Sequence, residues 1–327
     1  MINLKFVRKF LSMFLLSLVI LMTSAPLSAA SEEKVDPKKK AISYNLVGRL
    51  GNRIITYLCA KWIAQQYDLP FLYVPFPYSE QFVFHEQEKY YKADWEPFFS
   101  RKIFATSEKN IPNEKNSSLI LINFFYSKAP QLLYRTFWSD PNFKKAMGPL
   151  LQPRFPIKTV DLAEGKLNIL AHVRTGGDYD SKKTQLRYPN KFPPHSFYIS
   201  AIATLSKLFD HRPIYVYIMT DDLHPEKIAQ DYMTALSHLT NIEIGYRNDN
   251  ADPSLTVMED FFSVPKFDCL IRGFSTFTIA AALNANFQAV VTPYQTHVEN
   301  GEVIVDKIKV QCSDPKLKAK TKEILSN

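Results

Sequence analysis

Short apolar runs alternate along this chain with longer stretches in which apolar residues recur every three to four positions, most regularly in the second half. The runs at 167–173, 213–219, 241–245, 269–272 and 287–291 are rich in β-branched and aromatic residues and read as strands. Between them, 196–209, 225–236, 255–264 and 275–285 carry apolar residues at helical spacing. Strands that alternate with helices pair in parallel through right-handed crossovers. Residues 156–312 are therefore expected to form a Rossmann-like, doubly wound parallel sheet.

The first half is less regular. A strand is predicted at 44–47, a Gly-containing turn follows, and a helix is predicted over 52–67, where Ile54, Ile55, Leu58, Cys59, Trp62 and Ile63 share a face. Asn52 is the expected N-cap of that helix. Further strands are expected at 69–74 and 119–125, while 75–115 is aromatic, Pro-containing and without a period. The segment from Gln152 to Pro156 is Pro-rich and reads as an interdomain hinge. The expected fold class is α/β, with two Rossmann-like domains, 41–155 and 156–312, facing a cleft.

The ends of the chain differ from its body. Lys5, Arg8 and Lys9 precede an apolar run over 10–22, and small residues at 28–30 fit a cleavage site, so 1–30 reads as a signal peptide for export. Membrane association would arise only if this segment stayed uncleaved, and its apolar run is shorter than the roughly 20 residues a span needs. Residues 31–40 are a polar linker, and the Lys-rich 313–327 is expected to be a solvated basic tail. Net charge is +8, but 1–40 carries +4 and 316–327 carries +3, so the body is close to neutral. A neutral body lacks the basic face that nucleic-acid binding requires. Cys59, Cys269 and Cys312 have no metal-ligand spacing, and the first two lie in apolar patterns that predict burial.

Ligands of open parallel sheets bind beyond the carboxyl ends of the strands. Those ends present His172-Val173-Arg174 followed by Asp178, then Asp221-Asp222, then Arg247, then Phe274-Ser275-Thr276 at the start of a helix. A guanidinium can bind phosphate oxygens bidentately, and a helix N-terminus flanked by hydroxyls is an anion site. Carboxylates can accept hydrogen bonds from a base or a sugar. Each feature has a plainer structural reading as a surface ion pair, a cap or a helix start, but their recurrence at successive strand ends points to a nucleotide-diphosphate site. In the other half, Gly48 and Gly51 allow left-handed backbone or a close backbone approach. The turn has neither the dinucleotide fingerprint nor the P-loop ending.

The blocks Gly48-Arg49-Leu50-Gly51-Asn52, His172-Val173-Arg174, Val216 through Asp222, and Asp260 with Phe274-Ser275-Thr276 stand in the order found in GDP-fucose-dependent fucosyltransferases. The chain resembles the group containing α-1,2-, α-1,6- and protein O-fucosyltransferases, over about 44–292. That resemblance implies a GT-B-like fold, a GDP-fucose donor, inversion at the anomeric carbon and no metal or other cofactor. It implies catalytic roles for Arg174, on the diphosphate, and for Asn52, reaching across the cleft. It also implies donor contacts from Gly51, His172, Asp178, Asp221, Asp222, Asp260, Ser275 and Thr276. The sequence departs from the group where Thr175 replaces a second arginine, where Gly176-Gly177 shifts Asp178, and where Arg53 replaces a glutamine. The acceptor would be a glycan or glycoprotein. Two other readings stay open: a glycosyltransferase using another nucleotide sugar, and a non-catalytic exported solute-binding protein.

Overall fold

Residues 36, 39–105, 111, 114–122, 137–175, 181–248 and 253–326 are described in the computed structural model. The expected signal peptide, most of the linker, and Gly176, Gly177 and Asp178 lie outside them. The first sheet holds β1 (Ala41–Tyr44), β2 (Arg101–Ala105) and β3 (Ser118–Ile122), all parallel, in the order β1-β3-β2. Every residue of β1 and β3 is buried, and β3 overlaps the apolar run expected as a strand at 119–125. β1 begins three residues before the expected strand, because burial ends at Tyr44. β2 is an exposed edge with Arg101 and Lys102, and its polarity hides it from a hydrophobic pattern. The expected strand at 69–74 is reduced to a brief pairing: the Ile42 amide donates to the Pro70 carbonyl at 2.9 Å and the Leu72 amide to the Ile42 carbonyl at 2.8 Å.

Helix α1 (Leu50–Gln66) follows β1 and is buried around most of its circumference. It starts two residues earlier than expected: Arg49 holds the N-cap position, so Asn52 lies within the first turn and is not the cap. After α2 (Pro141–Met147), the segment expected as a hinge is pinned to the first half, with the Val83 amide on the Gln152 carbonyl at 3.0 Å and the Arg154 amide on the Gln81 carbonyl at 2.8 Å.

The second sheet contains β4 (Leu167–Val173), β5 (Ile214–Thr220), β6 (Ile242–Tyr246), β7 (Cys269–Arg272), β8 (Ala289–Glu299) and β9 (Glu302–Cys312). Its order is β6-β5-β4-β7-β8-β9, parallel except for the antiparallel β8–β9 pair. The helices between its strands are α3 (Lys182–Arg187), α4 (His195–Leu208), α5 (Pro225–Ala235), α6 (Pro253–Ser263) and α7 (Thr276–Ala281), and α8 (Pro315–Ser326) follows β9. Alternate strand residues face opposite ways. Ile169, Ala171, Val216, Ile218, Cys269 and Ile271 pack with Tyr198, Ile202 and Leu205 of α4 and Ile228 and Tyr232 of α5. Leu170, Tyr217, Met219 and Leu270 belong instead to a cluster with Phe261 of α6 and Ile279 of α7. The sheet is thus doubly wound, as expected.

That second cluster also contains Ile42, Ile54, Ile55 and Ile120 from the first half, so one continuous apolar core joins both sheets within the compact unit 38–327. Phe82 meets Phe261 edge-on at 5.3 Å, and the Trp138 indole donates to the Ile279 carbonyl at 3.0 Å. Two features at the end of the chain depart from expectation. The strand predicted to end at 291 runs to Glu299 and returns as β9 through Asn300 and Gly301, whose φ values are 50° and 76°. The expected solvated tail is a helix, α8, opened by the Asp314 carboxylate on the Lys316 amide at 2.6 Å, with Leu317 and Ile324 packed on the sheet.

Candidate functional site

Where the strand order of a parallel sheet reverses, the loops leave neighbouring strands in opposite directions and open a crevice at their carboxyl ends. Here the chain runs outward from β4 through β5 to β6, then returns to lay β7 on the other side of β4. The crevice therefore lies between the ends of β4 and β7, where His172 and Arg272 are register partners.

His172 is almost fully buried, and its carbonyl accepts the Tyr198 hydroxyl at 3.0 Å. Its ring stacks on Phe277 with centroids 5.9 Å apart and planes 17° from parallel. Burial lowers the imidazole pKa to about 4, aided by the charges of Arg174 and Arg272 and opposed by that of Asp221. The ring is accordingly neutral near pH 7. Its Nδ1 is buried with no hydrogen-bond partner among the described residues. Two residues on, the Arg174 guanidinium lies over the Phe192 ring at 5.3 Å from its centre.

Asp221 secures the turn after β4, accepting the Thr175 amide at 2.9 Å. Asp222 works locally: its carboxylate accepts the His224 amide at 2.9 Å and opens α5, which is the helix-start reading. Asp260 on α6 accepts Arg247 Nη2 at 2.7 Å, while neighbouring Glu259 accepts Nη1 at 2.8 Å. This pair ties α6 to the segment after β6. Ser275 occupies the N-cap position of α7, yet its fully buried hydroxyl caps nothing and has no described partner. Thr276 is the first residue of that helix.

The first half reaches this crevice through α1. A Cβ placed on Gly51 would lie 2.4 to 2.6 Å from the backbone of Thr276 and Phe277, so the starts of α1 and α7 touch backbone to backbone. Only glycine permits that approach. Gly48, at φ +70°, turns the chain into α1, and the Asn52 side chain folds back against it. Neither helix start has a side-chain cap, so the first amides of each are not satisfied by a capping side chain.

The structure thus gathers Gly51, His172, Arg174, Asp221, Ser275 and Thr276, with Asn52 one residue from the contact. Asp222 and Asp260 are engaged in a helix start and an ion pair, and Asp178 lies outside the described residues. Arg272 belongs to the group and was not expected. It ends an apolar strand and looks like a surface arginine until its register with His172 is known.

Fold and crevice together define an α/β chain with arginines at a topological switch point. No family model matches the sequence, and no curated protein matches it. Among solved structures, a point mutant of Arabidopsis thaliana FUT1 in complex with GDP is similar at 11% identity and TM-score 0.48, covering 83% of this chain and 73% of that one. POFUT1 in complex with GDP-fucose is similar at 13% identity and TM-score 0.45, covering 77% and 95%. The fucosyltransferase NodZ from Bradyrhizobium is similar at 11% identity and TM-score 0.38, covering 84% and 98%. Identities this low bear on fold alone, and none of these TM-scores reaches 0.5.

Proposed function

We propose that this chain is a glycosyltransferase that seats the diphosphate of a GDP-sugar in the β4–β7 crevice and transfers the sugar, fucose, to a glycan or glycoprotein with inversion. The observation that carries this reading is a pair of buried polar atoms without a partner among the described residues, His172 Nδ1 and the Ser275 hydroxyl, close to Arg174 and to the contact between two helix starts. Buried polar groups are almost always satisfied, and an unsatisfied one calls for an explanation such as strain, a catalytic role, or a bound water or ion. A ligand here meets a guanidinium, hydroxyls and amides, which suits phosphate oxygens. The order of the sequence blocks supports guanine as the base and fucose as the sugar.

In the reaction, an acceptor hydroxyl attacks the anomeric carbon as the bond from that carbon to the phosphate oxygen breaks, giving the glycoside, the nucleoside diphosphate and the hydroxyl proton, which is released. Arg174 and the amides at the starts of α1 and α7 would stabilise the charge gathering on the departing diphosphate, the term that usually contributes most to such catalysis. Neutral His172 offers a hydrogen bond without adding charge. Export directed by 1–30 belongs to the same proposal and puts the enzyme outside the cytosol, where a GDP-sugar made in the cytosol has to be imported.

Calorimetric titration of the chain with GDP and UDP, repeated on Arg174→Ala, tests the reading. GDP binding that exceeds UDP binding and is lost in the variant is the expected result. A folded wild-type protein that binds neither nucleotide refutes it and returns the chain to the solute-binding class.

A further inference from the structure

Thr175 follows Arg174 at the end of β4. Its amide and hydroxyl are both turned to Asp221 Oδ1, at 2.9 and 3.4 Å, and it has no charge to offer. The neighbouring strand does carry a charge. Arg272 ends β7 opposite His172, and register partners on parallel neighbours project from the same face of the sheet.

That face is the one on which the His172 ring meets Phe277 and the α7 start meets Gly51. Arg272 is partly buried, and its Nη1 lies 3.5 Å from the carbonyl of Gly273, the residue leading into Ser275. The charges of Arg272 and Arg174 both act on the His172 imidazole. Two arginines at the adjacent ends of β4 and β7 form an arrangement that gains most from a doubly charged anion.

We propose that Arg272 is a second phosphate-binding residue, acting with Arg174 at the β4–β7 crevice so that each arginine holds one phosphate of a nucleoside diphosphate, Arg272 the terminal one. It supplies from β7 the charge that Thr175 lacks on β4. The inference rests on reading the crevice as a nucleoside-diphosphate site, and it predicts selection for two phosphates over one.

The experiment titrates GDP and GMP into the wild-type chain and into Arg272→Gln, with thermal unfolding of each protein recorded. Losing one charge-assisted contact should weaken GDP by about 10- to 100-fold and GMP by much less, so the GDP-to-GMP preference falls by about 10-fold or more. A folded Arg272→Gln that keeps the wild-type preference overturns the role of Arg272 and leaves the donor reading intact. A wild-type chain that binds no GDP overturns both. Because the variant can fail to fold, the wild-type chain is also treated with an arginine-directed dicarbonyl reagent and mapped by peptide mass spectrometry. Protection of Arg272 by GDP and not by GMP supports the proposal. Arg272 that is unreactive without nucleotide, or equally reactive with and without GDP, overturns it.

Discussion

Replacing His172 with glutamine removes a group whose protonation the fold opposes, and the consequence can be worked out in advance. In the folded chain the imidazole pKa is about 4, against an ordinary 6.5, because the ring is buried beside Arg174 and Arg272. Below pH 6.5 the unfolded chain binds a proton that the folded chain refuses, so acid favours unfolding. Stability from this residue is fully present above pH 6.5 and is lost as the pH falls toward 4. Across the whole window the difference is on the order of 3 kcal/mol, at about 1.4 kcal/mol per pH unit, and ~2 kcal/mol of it falls between pH 7 and pH 5. Urea unfolding of wild type and His172→Gln at both pH values isolates the effect, because all other titrating groups cancel in the double difference. Wild type should lose ~2 kcal/mol more than the variant on going from pH 7 to pH 5. A double difference near zero, or one of opposite sign, would show that His172 is hydrated or paired in the folded chain, and the argument from its orphaned nitrogen would fail with it.

Other outcomes follow from the same geometry. Arg174→Ala should cut turnover by roughly 10²–10³-fold while leaving the melting temperature nearly unchanged, and normal turnover in a folded variant would remove Arg174 from the mechanism. Gly51→Ala puts a methyl against the Thr276–Phe277 backbone, so it should destabilise the chain by ~1–3 kcal/mol and weaken GDP binding together, as denaturation and calorimetry would record. Tyr198→Phe loses the bond to the His172 carbonyl and should cost about 1 kcal/mol in urea unfolding. Asp260→Asn separates two roles: a lost preference for GDP over UDP marks a nucleoside contact, whereas a change in stability alone marks a partner of Arg247 and nothing more.

How far the chain could be read before its structure depended on how local each signal was. Strands β4, β5 and β7 are buried on both faces, so their apolar runs stand out, and the residues at their ends follow directly. His172, Arg174 and Ser275 were found in that way. Arg272 was not, because what distinguishes it is pairing with a residue a hundred positions away. β2 failed for the opposite reason: an edge strand with exposed charges has no apolar signature. The β8–β9 hairpin did leave a mark, Asn300-Gly301 between alternating residues, which is a strong hairpin signal and was passed over. Asp222 and Asp260 show the limit of reading acids from strand ends and helices. Both types of position also serve caps and ion pairs, and only the observed partners tell these apart.

The contact at Gly51 also bears on when the site comes into being during synthesis. Its two sides lie more than two hundred residues apart along the chain, one near the start of the folded unit and the other close to its end. Contacts of such long sequence separation form late, after the loop between them has been closed at an entropic cost. A nascent or truncated chain that stops short of α7 has β4 and its arginine but no second helix start to meet Gly51. Such a fragment holds half a seat for the ligand, and activity should emerge only once the last helices of the sheet have left the ribosome.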